Sequence, residues 1–338
     1  MNQSTAVAIT HPPAKVNLFL ELLAKREDGF HEIDTVMVPV DLRDEMRLSR
    51  QDPQAVDLTV RWLPSAEIIA RRLGIENDPK NSSQLLHVPE SDANLVHRAL
   101  TAFRDRFDIT DGFVCQLRKR IPAGAGLGGA SSDAASALLC AAELCDIPQN
   151  SDDLVRIAES IGSDVPFFLG DQDDVSAKLG GASATLSGAR AEGRGEKIQG
   201  VNVGSPMFFV IVFPSASLST AAVYSQAKIP DQSRSATGML DALATGNIPQ
   251  IQSEMMNRLS EPAKKILPRI NEILESMWRS GLQACQLTGS GSACFAVTDT
   301  MMKAQQGAHQ LQSMLEPGAL IFTVQSTTVP SRVLIQPA

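Results

Sequence analysis

The sequence lacks the features of a membrane-anchored, secreted or zinc-binding protein. No stretch approaches the roughly 18 consecutive apolar residues of a membrane-spanning helix, and the start, MNQSTAVAIT, contains no basic segment followed by an apolar run. The five cysteines are odd in number and none forms a C-x-x-C pair, so the common zinc and redox spacings are excluded. These absences predict a soluble, cytoplasmic protein with free thiols and no membrane partner.

Positive charge is also scarce. Lysine and arginine together number 30 against 38 acidic residues, which gives a formal net charge of -8. A general nucleic-acid binder normally carries a basic field, so we expect no nucleic-acid partner. A phosphate ligand stays possible because it needs only local positive potential, and one basic cluster is present at Arg118, Lys119 and Arg120.

What is present suits a globular chain of one large or two ordinary domains. The 338 residues are 43% hydrophobic and 20% charged, which is enough apolar material for a sizeable core. Strand and helix patterns are mixed without regular βα alternation, which predicts an α+β fold with two packed lobes, over residues 1–205 and 206–338. Strands are predicted at 14–23, 33–40, 112–121, 207–213 and 319–325, with two more inside 283–297, and helices near 66–73, 93–107, 131–145 and 300–315.

A predicted strand near the start brings two polar residues together. Apolar residues occupy every second position from Val16 to Leu22, which is strand periodicity. Lys15 and Asn17 therefore share the face opposite this aliphatic row. A turn signal at 28–29, Asp-Gly, precedes the returning strand.

The strongest motif is glycine-rich. Residues 122–132, PAGAGLGGASS, join a predicted strand to a predicted alanine-rich helix. Glycine lets the backbone adopt positive φ and approach a ligand, and the N–H groups that open a helix bind anions such as nucleotide phosphates. The cluster at 118–120 would bring positive charge to the entrance of the loop. Ser131 and Ser132 could cap the helix or hold a phosphate or its magnesium, and both roles stay open.

A flexible connector is the alternative interpretation of this loop. Glycines in regular structure cost about 0.5–1 kcal/mol each relative to alanine, which makes a purely structural role for four of them unattractive. Gly124, Gly126 and Gly129 also satisfy G-x-G-x-x-G, so the dinucleotide-binding domain of an oxidoreductase is a second alternative. That domain needs a carboxylate at a strand end about 20 residues later, where PQNSDD instead indicates a turn. The Walker A lysine and the protein-kinase signatures are absent, so a nucleotide loop of another class is indicated.

The loop resembles the central motif of the GHMP kinases. Residues 13–20, PAKVNLFL, are similar to the first motif of that superfamily, and residues 287–292, LTGSGS, to its third. The resemblance implies the two-lobe GHMP architecture, with an N-terminal nucleotide-binding α/β lobe and a C-terminal ferredoxin-like α+β lobe. It also implies ATP and Mg²⁺. DGFH at 28–31 and SDVPF at 163–167 further resemble the members that phosphorylate the 2-hydroxyl of a cytidine-diphosphate-linked methylerythritol in the non-mevalonate isoprenoid pathway.

The same resemblance implies roles for individual residues. Lys15 and Asp164 match the catalytic pair, in which the aspartate accepts the proton of the attacking hydroxyl. Asn17 would reach the substrate beside Lys15. The cytosine would be bound by Phe30, His31 and Tyr224, although the family often has tyrosine where this chain has Phe30. The ATP site would comprise Asn94, Lys119, Pro122, Ala123, Gly124, Ala125, Gly126, Leu127, Gly128, Gly129, Ala130, Ser131 and Ser132, beside an active-site turn of Gly289, Ser290 and Gly291.

Alternatives remain open for both the residues and the function. Tyr224 could be a core residue that follows the 207–213 strand, and Asp164 could be a helix-end cap before Pro166. Another GHMP kinase, for homoserine or mevalonate, would act on a substrate that has no base to stack on aromatic rings. A non-catalytic sensor would bind ATP without turning it over.

Two segments depart from the family pattern because both are extended. Residues 50–90 are predicted to be irregular with one short helix, and residues 171–200 to be a loop with weak strands. Arg190 and Arg194 lie in the second segment without an assigned role.

Overall fold

The computed structural model describes residues 6–52, 55–170 and 187–337. Among the helices of these ranges, none has the length and apolar character required to span a bilayer. The strands are β1 (Ala6–Thr10), β2 (Pro13–Lys25), β3 (His31–Arg43), β4 (Glu45–Gln51), β5 (Val56–Trp62), β6 (Gly112–Lys119), β7 (Ser187–Gly193), β8 (Lys197–Asn202), β9 (Phe208–Pro214), β10 (Met256–Asn257), β11 (Cys285–Leu287), β12 (Cys294–Thr298), β13 (Ala319–Gln325) and β14 (Leu334–Pro337). The helices are α1 (Ala66–Leu73), α2 (Pro79–Leu86), α3 (Leu95–Phe107), α4 (Gly129–Leu144), α5 (Asp152–Ile161), α6 (Val165–Leu169), α7 (Thr220–Gln226), α8 (Thr237–Thr245), α9 (Ile248–Glu254), α10 (Ser260–Ile266), α11 (Arg269–Arg279) and α12 (Met301–Leu315).

Two five-stranded sheets form the first lobe. Their strand orders are β14–β1–β4–β6–β5 and β10–β2–β3–β7–β8. Neighbouring strands pair antiparallel, except that β5 pairs parallel with β6 and β10 parallel with β2. The proposed division at 205/206 falls between β8 and β9. However, β10 and β14 come later in the chain and still join the sheets of the first lobe.

Helix α4 lies between these two sheets, and α3 packs beside it. Phe103 of α3 and Leu138 of α4 belong to one buried cluster with Leu117 of the first sheet and Met37 of the second. Most residues of α4 are buried, and its many alanines let the neighbouring elements approach closely. Burial on both sides fixes α4, and with it the glycine-rich loop that ends at its first turn.

Strand β2 is an interior strand of the second sheet and carries part of the site. It pairs with β3 on one side and with β10 on the other, and its residues from Pro13 to Leu22 are all buried. Lys15 donates a hydrogen bond to Asn17, which confirms that these two residues share a face. The predicted alternation therefore gives β2 an aliphatic face and a polar face, and both faces are buried.

The remaining strands form the sheet of the second lobe. Its order is β11–β12–β9–β13 and all pairs are antiparallel. With α11 and α12 the chain order is β9–α11–β11–β12–α12–β13, the ferredoxin-like arrangement. Val212 on one face packs with Ile273 of α11 and Leu311 of α12, while Phe209 and Phe295 belong to the core shared with β2. This topology confirms the ferredoxin-like fold predicted for the C-terminal lobe.

Two segments are more regular than the sequence predicted. Residues 56–62 alternate apolar and polar side chains and form β5 beside β6, and Pro79–Leu86 forms a further helix. The predicted helix near 66–73 is present as α1, but the prediction that the rest of 50–90 is irregular was wrong. The weak strands predicted after 171 are found as the β7–β8 hairpin, while the rest of that predicted loop, residues 171–186, lies outside the described residues.

Candidate active site

A cavity of about 480 Å³ lies where the three sequence motifs meet. Its walls come from β2, the glycine-rich loop, the turn at 289–291 and the segment that begins α6. Small-molecule sites in proteins typically occupy roughly 300–1,000 Å³. The residues predicted for the site all line this cavity, with the exception of Phe30, His31 and Ser132.

The glycine-rich loop has the backbone that its sequence predicts. Gly124, Gly126 and Gly128 have φ values of 62°, 75° and 71°, and Gly128 is the residue that precedes α4. A Cβ atom on Gly126 would lie 2.2 Å from the carbonyl oxygen of Thr288, so only glycine allows the loop to approach the turn at 289–291. Residues 129–131 of the first turn of α4 line the cavity, and the leading N–H groups of a helix have no partner within the helix.

Thr288 connects the three motifs. Its hydroxyl accepts a hydrogen bond from the backbone N–H of Asn17 (3.1 Å) and lies 3.2 Å from the carbonyl oxygen of Gly126, to which it can donate. Ser290, two residues later, hydrogen-bonds with the hydroxyl of Thr220 at 2.9 Å. Segments that are far apart in the sequence are thus held in one fixed arrangement around the cavity.

Lys15 and Asp164 lie side by side in the cavity. Lys15 Nζ is 3.4 Å from Asp164 Oδ2 and donates a hydrogen bond of 2.6 Å to Asn17 Oδ1. Asn17 Nδ2 in turn donates to the hydroxyl of Thr35. The ammonium group of Lys15 is buried and held on two sides, whereas the side chain of Asp164 is 33% exposed. The structure therefore brings a fixed cation beside a carboxylate that a ligand can reach.

The alternative role of Asp164 as a helix cap has no support from its contacts. Asp164 immediately precedes α6, but its side chain makes no capping hydrogen bond. The carboxylate is instead available to the cavity and to Lys15.

Lys119 forms a buried charge cluster under the glycine-rich loop. Its Nζ is hydrogen-bonded to carboxylates of Asp44 and Asp133, and Asp44 also accepts the backbone N–H groups of Arg120 and Ile121. Burial raises the pKa of Asp133 to about 8, an effect that Lys119 opposes and Asp44 reinforces. Burial alone would lower the pKa of Lys119, but the charges of Asp133 and Asp44 raise it overall. Lys119 lines the cavity, and its positive charge is balanced by the carboxylates of Asp44 and Asp133.

The sequence predicted that the basic cluster at 118–120 brings positive charge to the entrance of the loop. This prediction was wrong for Arg118 and Arg120. The side chains of Arg118 and Arg120 are exposed and both pair with Glu45, at 3.6 and 3.0 Å. Residues 118 and 119 end β6, and successive side chains of a strand point to opposite faces. The three charges are therefore divided between the surface and the interior.

Asn94 lines the cavity but is fully engaged as a helix cap. Its Oδ1 accepts from the backbone N–H of Val96 at the start of α3, and its Nδ2 donates to the carbonyl of Pro89. Residues 87–89 line the same part of the cavity. The prediction that Asn94 lies near the adenine stays a prediction.

The three residues predicted to bind cytosine lie close to one side of the cavity. The rings of His31 and Tyr224 are 5.3 Å apart and tilted by 43°, and Tyr224 lines the cavity. Burial, with a contribution from Lys25, lowers the pKa of His31, and burial followed by the charge of Asp164 raises the pKa of Tyr224. Phe30 is 56% exposed, and the guanidinium of Arg194 lies 5.3 Å from its ring centroid.

The two serines of the loop have different environments. Ser131 lines the cavity, whereas Ser132 is fully buried and its hydroxyl has no hydrogen-bond partner in the described part of the chain. The next residue, Asp133, does line the cavity, and its Oδ1 atom likewise has no partner among the described residues. The polar side chains of the first turn of α4 that line the cavity are therefore those of Ser131 and Asp133 rather than Ser132.

Several residues of the site were missed by the sequence prediction. Asp133 had a local signal, because it directly follows the two serines of the motif. Asp44 had none, since its partner Lys119 is 75 positions away. Arg194 lines the cavity from the β7–β8 hairpin, in a segment that resembles none of the motifs.

Comparison with known proteins agrees with this geometry. Residues 94–172 match the family described as GHMP kinases N terminal domain, and residues 239–316 match GHMP kinases C terminal. The chain is 44% identical to 4-diphosphocytidyl-2-C-methyl-D-erythritol kinase of Rhodopirellula baltica over 96% of its own length and 97% of that protein. It is 32% identical to the enzyme of the same name from Exiguobacterium sibiricum, covering 88% and 91% of the two chains.

Solved structures give the same result. A crystal structure of 4-(cytidine 5'-diphospho)-2C-methyl-D-erythritol kinase superposes with a TM-score of 0.66 at 30% identity, covering 94% of this chain and 98% of the other. Homoserine kinase from Cytophaga hutchinsonii has the same TM-score of 0.66 at 16% identity, covering 99% of both chains. The second likeness shows that the fold is shared.

Proposed function

The chain belongs to the GHMP kinase family, and we propose that it uses ATP to phosphorylate the 2-hydroxyl of 4-diphosphocytidyl-2-C-methyl-D-erythritol in the non-mevalonate isoprenoid pathway. Relatives that are 44% and 32% identical along most of the chain support this substrate. The observation that carries the proposal is the Lys15–Asp164 pair, which shares one cavity with the glycine-rich loop and Tyr224. Free thiols at all five cysteines support a reducing compartment such as the cytoplasm.

In this proposal Asp164 is the general base. Its partly exposed carboxylate accepts the proton of the acceptor hydroxyl as the new oxygen–phosphorus bond forms, while the bond between that phosphorus and the bridging oxygen of ATP breaks and ADP leaves. Lys15, held by Asn17, orients the carboxylate and offsets the negative charge of the reacting groups. Phosphoryl transfer needs mainly positioning and charge stabilisation, so a single weak base is sufficient.

The glycine-rich loop is the proposed phosphate site. ATP supplies the phosphoryl group when it is bound. Positive φ at Gly124, Gly126 and Gly128 exposes backbone N–H groups without interference from side chains, and the N-terminus of α4 adds the positive end of a helix dipole. The hydrogen bonds of Thr288 to the loop and to β2 keep these donors at a fixed place relative to Lys15.

The residues at the start of α4 also fit a magnesium ion that accompanies ATP. Mg²⁺ is bound through oxygen ligands, and Asp133 Oδ1 is a buried carboxylate oxygen without a hydrogen-bond partner among the described residues. Asp133 and Ser131 would hold the ion, which would neutralise phosphate charge. A cation there would also favour the charged carboxylate of Asp133, whose pKa burial raises to about 8.

A comparison of acceptors tests the proposed function. Purified protein with ATP and Mg²⁺ is assayed for coupled ADP release with diphosphocytidyl-methylerythritol, homoserine or mevalonate. We expect turnover only with the cytidine compound. Turnover only with homoserine or mevalonate would overturn the substrate, and binding of NAD(H) without any ATP turnover would overturn the kinase itself.

Replacing His31 with alanine is expected to raise the KM for the cytidine acceptor about tenfold, the worth of one good hydrogen bond, while the KM for ATP stays unchanged. The neutral ring is the proposed partner of the base, and burial lowers the pKa of His31. The His31 ring therefore becomes protonated only at a pH below about 6.5, which is the usual pKa of histidine. The wild-type KM for the acceptor should stay constant down to that pH and rise below it, and the variant should lack this rise.

His309 offers a matched control for this substitution, because it is exposed on α12. His309→Ala is expected to leave both KM values and their pH dependence unchanged. An equal loss of affinity for ATP and acceptor in His31→Ala would contradict a role in cytosine recognition.

A further inference from the structure

Arg194 is a cation that lines the cavity. It lies in the turn of the β7–β8 hairpin, and no described residue forms an ion pair or hydrogen bond with its side chain. Its guanidinium lies over the ring of Phe30, 5.3 Å from the ring centroid, and its charge also acts on the carboxylate of Asp28, which is itself paired with Arg26 at 3.1 Å. Arg190, on the same hairpin, is different, because its guanidinium donates two hydrogen bonds to Asp34 at 2.8 and 2.9 Å.

The surroundings of Arg194 place it between two parts of the acceptor site. Gly193 pairs with Ile33 of β3, two residues after His31, and Phe30 lies under the guanidinium. On the other side of Arg194 in the chain, a Cβ atom at Gly195 would lie 3.5 Å from Cβ of Ser163, the neighbour of Asp164. The hairpin turn therefore bridges the residues assigned to the cytosine and the residue assigned to the reacting hydroxyl.

The chemical connection between those two parts of the substrate is a diphosphate. In the proposed arrangement, the base of the substrate lies at His31 and Tyr224 and its hydroxyl lies at Asp164. The two phosphates that join these parts must then lie between Tyr224 and Asp164. Arginine is well suited to that group, because its planar guanidinium donates two parallel hydrogen bonds to phosphate oxygens. The face of Phe30 would hold the guanidinium in one orientation.

We propose that Arg194 binds the diphosphate of the acceptor and thereby selects a nucleoside-diphosphate-linked alcohol over a free alcohol. This assignment rests on the proposed function, since it takes the positions of base and hydroxyl from it. Arg194 is a specificity-determining residue in this assignment, and it does not take part in proton transfer.

Kinetics of Arg194→Gln test the assignment. The KM for diphosphocytidyl-methylerythritol is expected to rise about 10- to 100-fold, as for the loss of a hydrogen-bonded charge, while the KM for ATP stays unchanged. Arg194→Lys should recover part of the loss, because it keeps the charge without the paired donors. Lys197→Gln is the matched control, since Lys197 is exposed on the same hairpin and does not line the cavity.

A binding measurement separates this inference from the proposed function. Calorimetry is performed with cytidine and with CDP while a non-hydrolysable ATP analogue and Mg²⁺ occupy the nucleotide site. Wild-type protein and Lys197→Gln should bind CDP more tightly than cytidine, and Arg194→Gln should bind the two equally. This result would support the diphosphate site even if wild-type protein failed to turn over the cytidine acceptor. Such a failure would contradict the proposed function and leave the diphosphate site in place.

Two outcomes would overturn the role of Arg194. One is an unchanged KM for the acceptor in Arg194→Gln, in protein whose wild-type form turns that acceptor over. The other is an equal loss of cytidine and CDP binding in the variant, because that pattern would mean that Arg194 only supports the position of Phe30.

Discussion

Replacing Asp164 with asparagine is expected to lower kcat by about 10²-fold or more, while the KM for ATP stays unchanged. The amide has the shape of the carboxylate but cannot accept the proton of the acceptor hydroxyl. It also removes the negative partner that lies 3.4 Å from Lys15 Nζ. Among the described residues, no hydrogen bond joins Asp164 to the glycine-rich loop, so we expect the loop to keep its phosphate-binding geometry. Steady-state kinetics with both substrates varied measure the two effects separately.

Asp299→Asn is the control for this substitution. Asp299 forms an exposed pair with Lys303 of α12 and does not line the cavity, so its loss should leave kcat unchanged. Wild-type kcat in Asp164→Asn would mean that another group accepts the proton, and the proposed base would have to be abandoned.

Replacing Lys119 with methionine is expected to lower the free energy of unfolding by about 3–5 kcal/mol, the cost of breaking a buried ion pair by removing one partner. Methionine fills a similar volume, but it leaves the buried carboxylates of Asp44 and Asp133 without their cation. Urea unfolding followed by circular dichroism measures the change. The ATP site should weaken as well, because the cluster supports the first turn of α4.

The stability loss in Lys119→Met should depend on pH, because Asp133 titrates in the buried cluster. The folded-state pKa of Asp133 is raised to about 8, above the usual value of about 3.9. Its contribution to stability is therefore complete below that usual value and is lost as the pH rises through about 8. Without Lys119, which opposes the rise, the loss should be larger, so the destabilisation of Lys119→Met should grow with pH.

Two further variants make the stability result interpretable. Arg120→Met removes an exposed pair with Glu45 and should cost only about 0–1 kcal/mol. Adding Asp133→Asn to Lys119→Met should recover part of the lost stability, because one buried charge disappears. A Lys119→Met protein as stable as Arg120→Met at every pH would contradict the buried cluster.

The sequence predicted the parts of the fold that follow from short-range patterns. The alternation in β2, the glycine signal before α4 and the resemblance of three motifs were sufficient for the two lobes and for the pairing of Lys15 with Asn17. Strand β5 was missed because prolines on either side obscured its alternation. The Lys119 cluster could not be predicted, since strand pairing brings Asp44 to it from 75 positions away.

One error could have been avoided with the sequence alone. Residues 112–121 were predicted to be a strand, and strand periodicity sends Arg118 and Arg120 to the face opposite Lys119. Three adjacent charges on a strand therefore cannot add up at one site. Strand periodicity could not predict the position of Arg194, because that position depends on how the β7–β8 hairpin packs against β3 and Ser163.

The most direct test of the proposed phosphoryl transfer is ³¹P nuclear magnetic resonance of the reaction mixture. Purified protein is incubated with ATP, Mg²⁺ and diphosphocytidyl-methylerythritol, and the phosphorus signals are followed with time. The proposed function predicts that ATP signals are replaced by those of ADP, that one new phosphomonoester signal grows in equal amount, and that the diphosphate signals of the acceptor are retained. ATP conversion to ADP and inorganic phosphate alone, or an unchanged spectrum from folded protein, would contradict it.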